Sequence, residues 1–207
     1  MTVSSKKTKY LTIIGLTGSI GMGKSTAAAI LHDMGFPIYS ADDAVHDLLK
    51  KGGKGVRPVA HLFPESLKHG AIDRKKVGQS IFGQPEKLQQ LERIIHPLLR
   101  HAERIFLKKA RKDKAPAAIL EIPLLFETGG EERCDYTFCV TAPRAIQKKR
   151  VLARPGMSEE KFRAILKRQM PDIEKRKRAD YVIPTGKGLK ETQKHLQKLL
   201  HQLALLP

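Results

Sequence analysis

The sequence predicts an α/β fold in which a parallel sheet is covered by helices on both faces. Short apolar runs rich in β-branched residues recur along the chain, and stretches with helical periodicity separate them. Alternation of strand and helix is typical of β-α units, which build parallel sheets. The predicted strands are "YLTIIGLT" (10–17), "FPIYSA" (36–41), "APAAILEI" (115–122), "DYTFCVT" (135–141) and "DYVIPT" (180–185).

Two helices are predicted next to these strands. The first follows the first strand and runs from about residue 25 to residue 34, because Gly35 is a C-terminal stop and Pro37 lies two residues beyond it. The last is the amphipathic stretch "LKETQKHLQKLLHQLALL" (189–206), which we expect to pack on the sheet. Both positions agree with helices that cover a sheet.

The long segment between the second and third strands, residues 44–114, is predicted to be a helical insertion without a strand. Its clearest helix is "PEKLQQLERIIHPLLRHAERIFLKKA" (85–110). The apolar side chains of this stretch fall on one side: Leu88, Leu91, Ile94, Ile95, Leu98 and Leu99.

The segment 144–178 is the most basic part of the chain. It carries thirteen Lys or Arg and four Asp or Glu, a net charge of +9, which is half of the total of +18. A helical piece covers about residues 145–170, with a break at "RPG" (154–156) and a stop at Pro171. This segment either binds an anion or is a solvated cationic surface.

Composition limits the classes of protein to which the chain can belong. With 207 residues, 41% of them hydrophobic and 29% charged, it is typical of one globular catalytic unit. No apolar run approaches the roughly 18 residues of a membrane span. The N-terminal "MTVSSKKTKY" lacks the apolar region of a signal peptide, so we expect a cytoplasmic protein.

The high positive charge favours a polyanionic partner, which is either a nucleic acid or a phosphorylated metabolite. Aromatic residues make up only 5% of the chain and Trp is absent, so stacking on bases has little support. The two cysteines, Cys134 and Cys139, have no metal-binding spacing and are predicted to be buried thiols.

The stretch "GLTGSIGMGKST" (15–26) predicts a nucleoside triphosphate site with Mg²⁺. Its glycine spacing matches a P-loop, and it stands between a strand and a helix, as that motif requires. Glycines let backbone N–H groups surround phosphates, while Lys24 reaches the outer phosphates and the Ser25 hydroxyl ligates Mg²⁺. The predicted nucleotide-binding residues are Gly18, Ser19, Gly21, Met22, Gly23, Lys24, Ser25 and Thr26.

The remaining motifs favour a small-molecule kinase, because the chain has no "NKxD" and no motor elements. Such an enzyme needs a carboxylate for the attacking hydroxyl. Asp42 follows the second strand and either accepts that proton or caps a helix starting near Ala44, whereas capping is favoured for Asp43. Glu121 ends the third strand, where it binds Mg²⁺ through water, contacts the acceptor or makes a structural hydrogen bond.

Taken together, these motifs resemble the dephospho-coenzyme A kinase family along nearly the whole chain. "SADDAVH" (40–46) is similar to the family's "DAD" segment, and "EIPLLFE" (121–127) is its most specific stretch. "GAIDRKKVGQSIF" (70–82) and "LERIIHPLLR" (91–100) resemble two further motifs. In "RADYVIPTGKG" (178–188), Pro-Thr replaces the Asp-Asn that the family usually has.

The resemblance implies transfer of the ATP γ-phosphate to the 3′-hydroxyl of dephospho-coenzyme A. It implies that Asp42 is the general base, although Ser40 replaces the family's first aspartate. The family's insertion arginine corresponds to Arg74. His96 either reaches the acceptor or packs in its helix, and Leu124, Leu125 and Phe126 wall the acceptor site or fill the core.

The resemblance further implies a P-loop kinase fold with a five-stranded parallel core, a helical acceptor-binding domain and a mobile lid. The predicted core covers about 10–43, 115–143 and 179–207, the acceptor-binding insertion about 44–114 and the lid about 144–178.

Arg150 and Arg154 resemble the lid arginines of this family. Because they are four residues apart, we expect both on one face of a helix, where guanidinium groups suit phosphate oxygens. Two other functions remain open: a kinase of nucleoside monophosphates and a P-loop ATPase that binds nucleic acid. We expect a monomer that acts on a small molecule, with no nucleic-acid or membrane partner.

Overall fold

The computed structural model describes residues 11–206, which form two compact units. Unit 1 contains the described residues up to Tyr39 and from Ala110 onward, and unit 2 is Ser40–Lys109. Residues 1–10 and Pro207 lie outside the described residues. Residues 1–10 include the start of the first predicted strand and the N-terminal segment for which we predict no signal peptide. Within residues 11–206, no helix is long and apolar enough to span a bilayer.

All five predicted strands are present in one sheet. The strands in chain order are β1 (Thr12–Thr17), β2 (Ile38–Ser40), β3 (Leu67–Lys68), β4 (Ala71–Ile72), β5 (Ala117–Glu121), β6 (Tyr136–Thr141) and β7 (Tyr181–Pro184). The order in the five-stranded sheet is β2-β5-β1-β6-β7. β1 pairs in parallel with β5 and β6, and β6 pairs in parallel with β7. The first strand along the chain therefore lies at the centre of the sheet.

Helices follow most of these strands and complete the predicted three-layer α/β fold. Short 3₁₀ turns at Pro64–Ser66 and Gly130–Arg133 supplement them. The helices are α1 (Lys24–Asp33), α2 (Ala41–Leu49), α3 (Val56–Leu62), α4 (Arg74–Ser80), α5 (Pro85–Lys112), α6 (Arg144–Leu152), α7 (Glu159–Arg168), α8 (Asp172–Arg178) and α9 (Leu189–Gln202).

The core of unit 1 lies between the sheet and the helices α1 and α9. Strand residues such as Ile14 and Phe138 are fully buried there, together with Leu31 of α1 and Leu196 of α9. Burial of such side chains contributes about 1.5–3 kcal/mol each. The predicted packing of the C-terminal helix is confirmed.

The end of α1 is also as predicted. Gly35 has φ of +92°, a left-handed conformation that glycine adopts without strain, and its N–H donates to His32 O. The chain then turns into Phe36, which is buried in the core. The glycine therefore ends the helix and directs the chain toward β2.

Unit 2 corrects the prediction that this region holds no strand. It contains α2 to α4, most of α5 and the antiparallel hairpin of β3 and β4, in which Leu67 pairs with Ile72. Each hairpin strand has only two residues, too few for a sequence pattern to reveal. The unit has its own small core, formed by Leu49, Val59, Phe63, Ile72, Val77 and Ile95.

The helix after β2 begins at Ala41 and not near Ala44 as predicted. Its N-cap is Ser40, whose side-chain oxygen accepts a hydrogen bond from Asp43 N at 3.2 Å. Asp42 and Asp43 both lie inside the first turn. The prediction that an aspartate caps this helix is therefore wrong, because a serine performs that role one turn earlier.

The predicted helical piece at 145–170 is divided as expected, and a further helix follows it. α6 ends at Leu152 and α7 begins at Glu159, so the break includes the "RPG" motif. Proline disfavours helical geometry in the residue before it, here Arg154, which explains why α6 ends early. α7 ends at Arg168, before Pro171, and α8 starts directly after this proline.

Candidate active site

The loop between β1 and α1 has the backbone of an anion-binding turn. Gly21 and Gly23 have φ of +75° and +89°, and a Cβ at Gly21 would lie 2.5 Å from a Val151 methyl group. Met22 N donates to Ser19 O at 3.1 Å, which closes a turn inside the loop. Only glycine at these positions permits both the backbone conformation and the close approach.

The N-terminus of α1 has the electrostatics that favour a phosphate. Gly23 is the N-cap, no side chain caps the helix, and its first turn carries no acidic residue. Helix N–H groups that lack intrahelical partners attract anions, and the helix dipole adds positive potential. Ser25 and Thr26 are exposed in this turn, where their hydroxyl groups are accessible to a ligand.

Lys24 forms a nearly buried ion pair with Glu121. Its Nζ lies 2.7 Å from Glu121 Oε1, and the two side chains are only 13% and 10% exposed. Sheet topology explains the pairing, because β5 is the neighbour of β1 and Glu121 aligns with Leu16. Of the predicted roles for Glu121, the structural hydrogen bond is the one that the geometry supports, and contact with Mg²⁺ or the acceptor stays a prediction.

Two glutamines fix the loop from the side of α6 and α7. Gln147 Nε2 donates to Ile20 O at 2.9 Å, while Ile20 N donates to Gln169 Oε1 at 3.0 Å. Both polar backbone atoms of one loop residue are therefore bonded to side chains more than a hundred positions away. Sequence reasoning missed both glutamines, since no local pattern marks them.

Arg150 of α6 lies beside the loop. Its Nη1 and Nη2 donate to Thr185 Oγ1 at 3.1 Å and Thr185 O at 2.8 Å. The Thr185 hydroxyl in turn donates to Met22 O at 2.7 Å. The structure thus connects one predicted lid arginine to the glycine loop through the threonine of the Pro-Thr replacement, to which the sequence assigned no role.

Arg154 is placed differently from the prediction. Because α6 ends at Leu152, Arg154 lies in the exposed turn that follows, and it does not share a helical face with Arg150. Its N–H donates to Val151 O, so the chain makes only one further turn. The expectation of two arginines on one face is wrong, and a role for Arg154 in binding phosphate stays a prediction.

A buried ion pair anchors α8 to the segment after β5. Lys175 is fully buried, and its Nζ lies 2.8 Å from Glu127 Oε1 and 2.9 Å from Pro123 O. Glu127 Oε1 also accepts a hydrogen bond from Met170 N at 2.8 Å. Removing either charged partner would leave the other buried without compensation, at a cost of about 3–5 kcal/mol.

A cleft of about 740 Å³ opens at the carboxyl ends of β6 and β7. This is the edge at which parallel α/β sheets bind ligands. The residues that line it include Ser19 and Met22 of the loop, Arg144 and Gln147 of α6, and Lys187. The cleft places cationic side chains next to the glycine loop.

Two residues of the "EIPLLFE" segment have different environments. Leu125 is fully buried, and a Cβ added at Gly15 would lie 2.8 Å from its Cδ2. This contact favours the core alternative for Leu125. Leu124 is 40% exposed, which leaves its side chain available to wall a ligand site, and that role stays a prediction.

Other predicted acceptor contacts lie on the surface of unit 2. Asp42 is exposed in the first turn of α2, Arg74 is exposed as the first residue of α4, and His96 is exposed within α5. Asp73 caps α4 by accepting hydrogen bonds from Lys75 N and Lys76 N. The exposure of His96 argues against the alternative that this side chain packs in the helix bundle.

The thiol of Cys139 has low reactivity. Burial raises its pKa to about 12, and the nearby carboxylate of Asp172 acts in the same direction. It is therefore protonated at neutral pH and a poor nucleophile. The prediction of a buried thiol holds for Cys139, whereas Cys134 is only half-buried.

A glycine loop between a central parallel strand and an uncapped helix, with a lysine at the helix start, defines a P-loop phosphotransferase. Comparison with known proteins assigns the family, since residues 12–191 match the model of the dephospho-CoA kinases. The chain belongs to the dephospho-CoA kinase family.

Individual relatives agree with this assignment. The dephospho-CoA kinase of Brucella melitensis biotype 1 is 46% identical over 195 residues, which cover 94% of this chain and 96% of that protein. A Thermus thermophilus crystal structure aligns with a TM-score of 0.81 at 38% identity, covering 94% and 99% of the two chains. The dephospho-CoA kinase from Campylobacter jejuni aligns with a TM-score of 0.68 at 28% identity, covering 92% and 96%.

Proposed function

We propose that this protein transfers the γ-phosphoryl group of ATP to the 3′-hydroxyl of dephospho-CoA and thereby forms coenzyme A. The observation that carries the proposal is the glycine loop, which joins β1 to the uncapped start of α1 with Lys24 at the helix start. Membership of the kinase family supports ATP as the donor and dephospho-CoA as the acceptor.

The residues of unit 1 account for the donor side of the reaction. The N–H groups at the start of α1 bind phosphate oxygens, and Lys24 offsets the negative charge that spreads over the transferred group. Glu121 holds the lysine at 2.7 Å, so its ammonium group is positioned by a hydrogen bond and not by chance rotation. Phosphoryl transfer depends mainly on such positioning.

The donor set suits Mg²⁺ that arrives with the nucleotide. Among residues 11–206 no group of three or more His, Cys, Asp or Glu could hold a metal alone. Mg²⁺ in kinases is bound by one or two protein ligands together with phosphates and water, and the exposed Ser25 hydroxyl provides one such ligand. When bound, the ion neutralises phosphate charge.

On the acceptor side, we propose that Asp42 accepts the proton of the 3′-hydroxyl. Its exposure at the start of α2, directly after β2, supports this role, because the carboxylate is accessible to a substrate. Arg74, His96, Leu124 and Glu121 remain proposed acceptor contacts. Leu125 is better explained as a core residue.

We propose a lid that is smaller than residues 144–178. Gln147 and Arg150 hold the start of this segment to the loop and to Thr185, and Gln169, Met170 and Lys175 hold its end. The part between these anchors, residues 153–168, contains the break and α7. Arg154 lies in this part and would approach phosphate only when it closes.

An acceptor panel tests the proposal. Purified protein is mixed with ATP, Mg²⁺ and either dephospho-CoA, AMP or CMP, and formation of ADP is followed. We expect rapid turnover with dephospho-CoA only, and full loss of turnover when EDTA removes the metal. EDTA should leave the melting temperature of the protein without nucleotide unchanged, because Ser25 alone does not retain the ion. Faster transfer to AMP or CMP would overturn the assignment of the acceptor.

We further propose that the protein acts as a cytoplasmic monomer without a nucleic-acid partner. The low aromatic content of 5% supports the last point, because bases stack on aromatic side chains. Light scattering should give the mass of a monomer, which is the 23.2 kDa of one chain. Binding to RNA or DNA that persists at high salt would contradict the proposal, whereas weak binding that salt removes reflects charge alone.

A further inference from the structure

Thr185 is a buried residue that joins two strand ends. It follows the last residue of β7 and is 3% exposed. Its N–H donates to Thr141 O at 2.8 Å, which extends the ladder between β7 and β6 by one bond. The backbone at this position is therefore fixed by the sheet.

The Thr185 hydroxyl uses both its donor and its acceptor capacity. It donates to the backbone carbonyl oxygen of Met22 at 2.7 Å. A second possible acceptor, the backbone carbonyl oxygen of Thr141, is farther away, at 3.3 Å. The Thr185 hydroxyl accepts a hydrogen bond from Arg150 Nη1 at 3.1 Å. Since a hydroxyl has a single proton, the shorter bond to Met22 O leaves the oxygen lone pairs for the arginine.

Arg150 donates hydrogen bonds to Thr185 from both terminal nitrogens of its guanidinium group. Besides the bond to the hydroxyl, Nη2 donates to Thr185 O at 2.8 Å. Two parallel hydrogen bonds fix the plane of a guanidinium group and not only its distance. Loss of the hydroxyl would leave Arg150 with one bond and freedom to rotate about it.

The bond to Met22 O also orients the next peptide group. The C=O and N–H of a planar trans peptide point in opposite directions, so holding Met22 O toward Thr185 turns the Gly23 N–H away from Thr185. Gly23 approaches so closely that an added Cβ would lie 2.8 Å from the Thr185 hydroxyl oxygen. The glycine permits the contact, and the threonine sets the direction of the peptide.

We infer that Thr185 is a positioning residue for the nucleotide: its hydroxyl fixes both the Gly23 peptide of the glycine loop and the guanidinium plane of Arg150. Because this role concerns ATP alone, it rests on the proposed ATP site and not on the identity of the acceptor. It gives a task to the "PT" dipeptide, in which this chain departs from the pattern of the family it resembles.

The central experiment compares Thr185→Val with Thr185→Ser by calorimetric titration with ATP and Mg²⁺ in the absence of acceptor. Valine keeps the shape but removes the hydroxyl, so we expect Kd for ATP to rise about tenfold, equivalent to about 1.4 kcal/mol. Serine keeps the hydroxyl, and its Kd should stay within about threefold of the original value. If valine does not fold, Thr185→Ala removes the same hydroxyl with a smaller side chain.

Thr192→Val is the matched control. Thr192 is also buried, and its hydroxyl donates to a backbone carbonyl, that of Gly188, at 2.9 Å. It lies in α9, so its loss should lower the melting temperature without changing Kd for ATP. A Thr185→Val variant whose melting temperature falls while Kd stays within twofold would overturn the inference, since it would then behave like the control.

A double-mutant cycle of Thr185→Val and Arg150→Lys tests whether Thr185 affects ATP affinity through Arg150. Arg150→Lys keeps the charge but removes the pair of guanidinium hydrogen bonds to Thr185. If Thr185 acts through Arg150, the losses of ATP affinity in the two single variants should not add in the double variant. Full additivity, or failure of serine to restore affinity, contradicts the proposed role. Because no acceptor is present, a wrong acceptor assignment would leave all these results unchanged.

Discussion

The glycine loop of unit 1 and the acceptor candidates of unit 2 are built in opposite ways. Around the loop, Lys24 is paired with Glu121, and both polar backbone atoms of Ile20 are bonded to glutamines. In unit 2, Asp42 and Arg74 are exposed on the first turns of their helices. The difference teaches that the proposed donor side is pre-organised by buried contacts, so substitutions there should change both ATP binding and stability. Substitutions in unit 2 should change turnover or acceptor binding, with ATP affinity and stability unchanged.

The largest effect is expected for Lys24→Met. This substitution breaks the ion pair with Glu121 and removes the positive charge that we propose offsets the negative charge of the transferred phosphate. We expect kcat/KM for ATP to fall by about 10³ or more, with weaker ATP binding and a lower melting temperature. Adding Glu121→Gln removes the unpaired buried carboxylate and should restore stability but not activity. A double variant that regains turnover would show that the lysine is structural only.

The second substitution is Asp42→Asn, which keeps the size of the side chain and removes the proton acceptor. We expect kcat to fall by about 10² to 10⁴, with ATP affinity and melting temperature unchanged. Asp43→Asn lies in the same helical turn and is the matched control, with near-normal turnover. Loss of ATP affinity in Asp42→Asn would break the division between the two units.

Smaller losses are expected for the arginines of the basic segment. Arg150→Ala and Arg154→Ala should each lower kcat, by as much as about 10³ for an arginine that offsets charge in the transition state. The melting temperature should change little for Arg154, which is exposed, and somewhat more for Arg150, which is bonded to Thr185. If Arg154→Ala has normal kcat, residues 153–168 do not act as a lid over phosphate.

The smallest effects are expected for Lys148→Ala and Lys149→Ala. Lys148 pairs with Glu159 at 2.6 Å, and this bond lowers the pKa of Glu159, but both side chains are about half exposed. Exposed ion pairs contribute little, and salt screens them. Turnover should therefore stay within about twofold of normal. Losses as large as those at Arg150 would show that charge, and not position, governs this segment.

The sheet could be predicted from the sequence because each of its strands is a short, continuous apolar run. The glycine loop could be predicted because its pattern is local, with all of its residues within twelve positions. The hairpin of β3 and β4 could not, since two-residue strands carry no periodicity. The start of α2 was misplaced because Asp42 and Asp43 are good capping residues, yet Ser40 precedes them and takes that position.

The supporting contacts of the loop were beyond reach of the sequence. Thr185 is 163 positions from Met22, and Gln169 is 149 positions from Ile20, so only the parallel sheet order brings them together. The prediction for Arg154 failed for a local reason, since Pro155 ends the helix on which it was based. Local motifs thus identify the glycine loop, and the topology supplies the residues that hold it in place.

The most direct test of the account is to locate the phosphate in the product. The protein is incubated with ATP, Mg²⁺ and dephospho-CoA, and the product is examined by ³¹P and ¹H NMR. The account predicts a new phosphomonoester coupled to the 3′ proton of the ribose, formed in equal amount to ADP. Release of inorganic phosphate without a new ester, or an ester at another position of the acceptor, would contradict it.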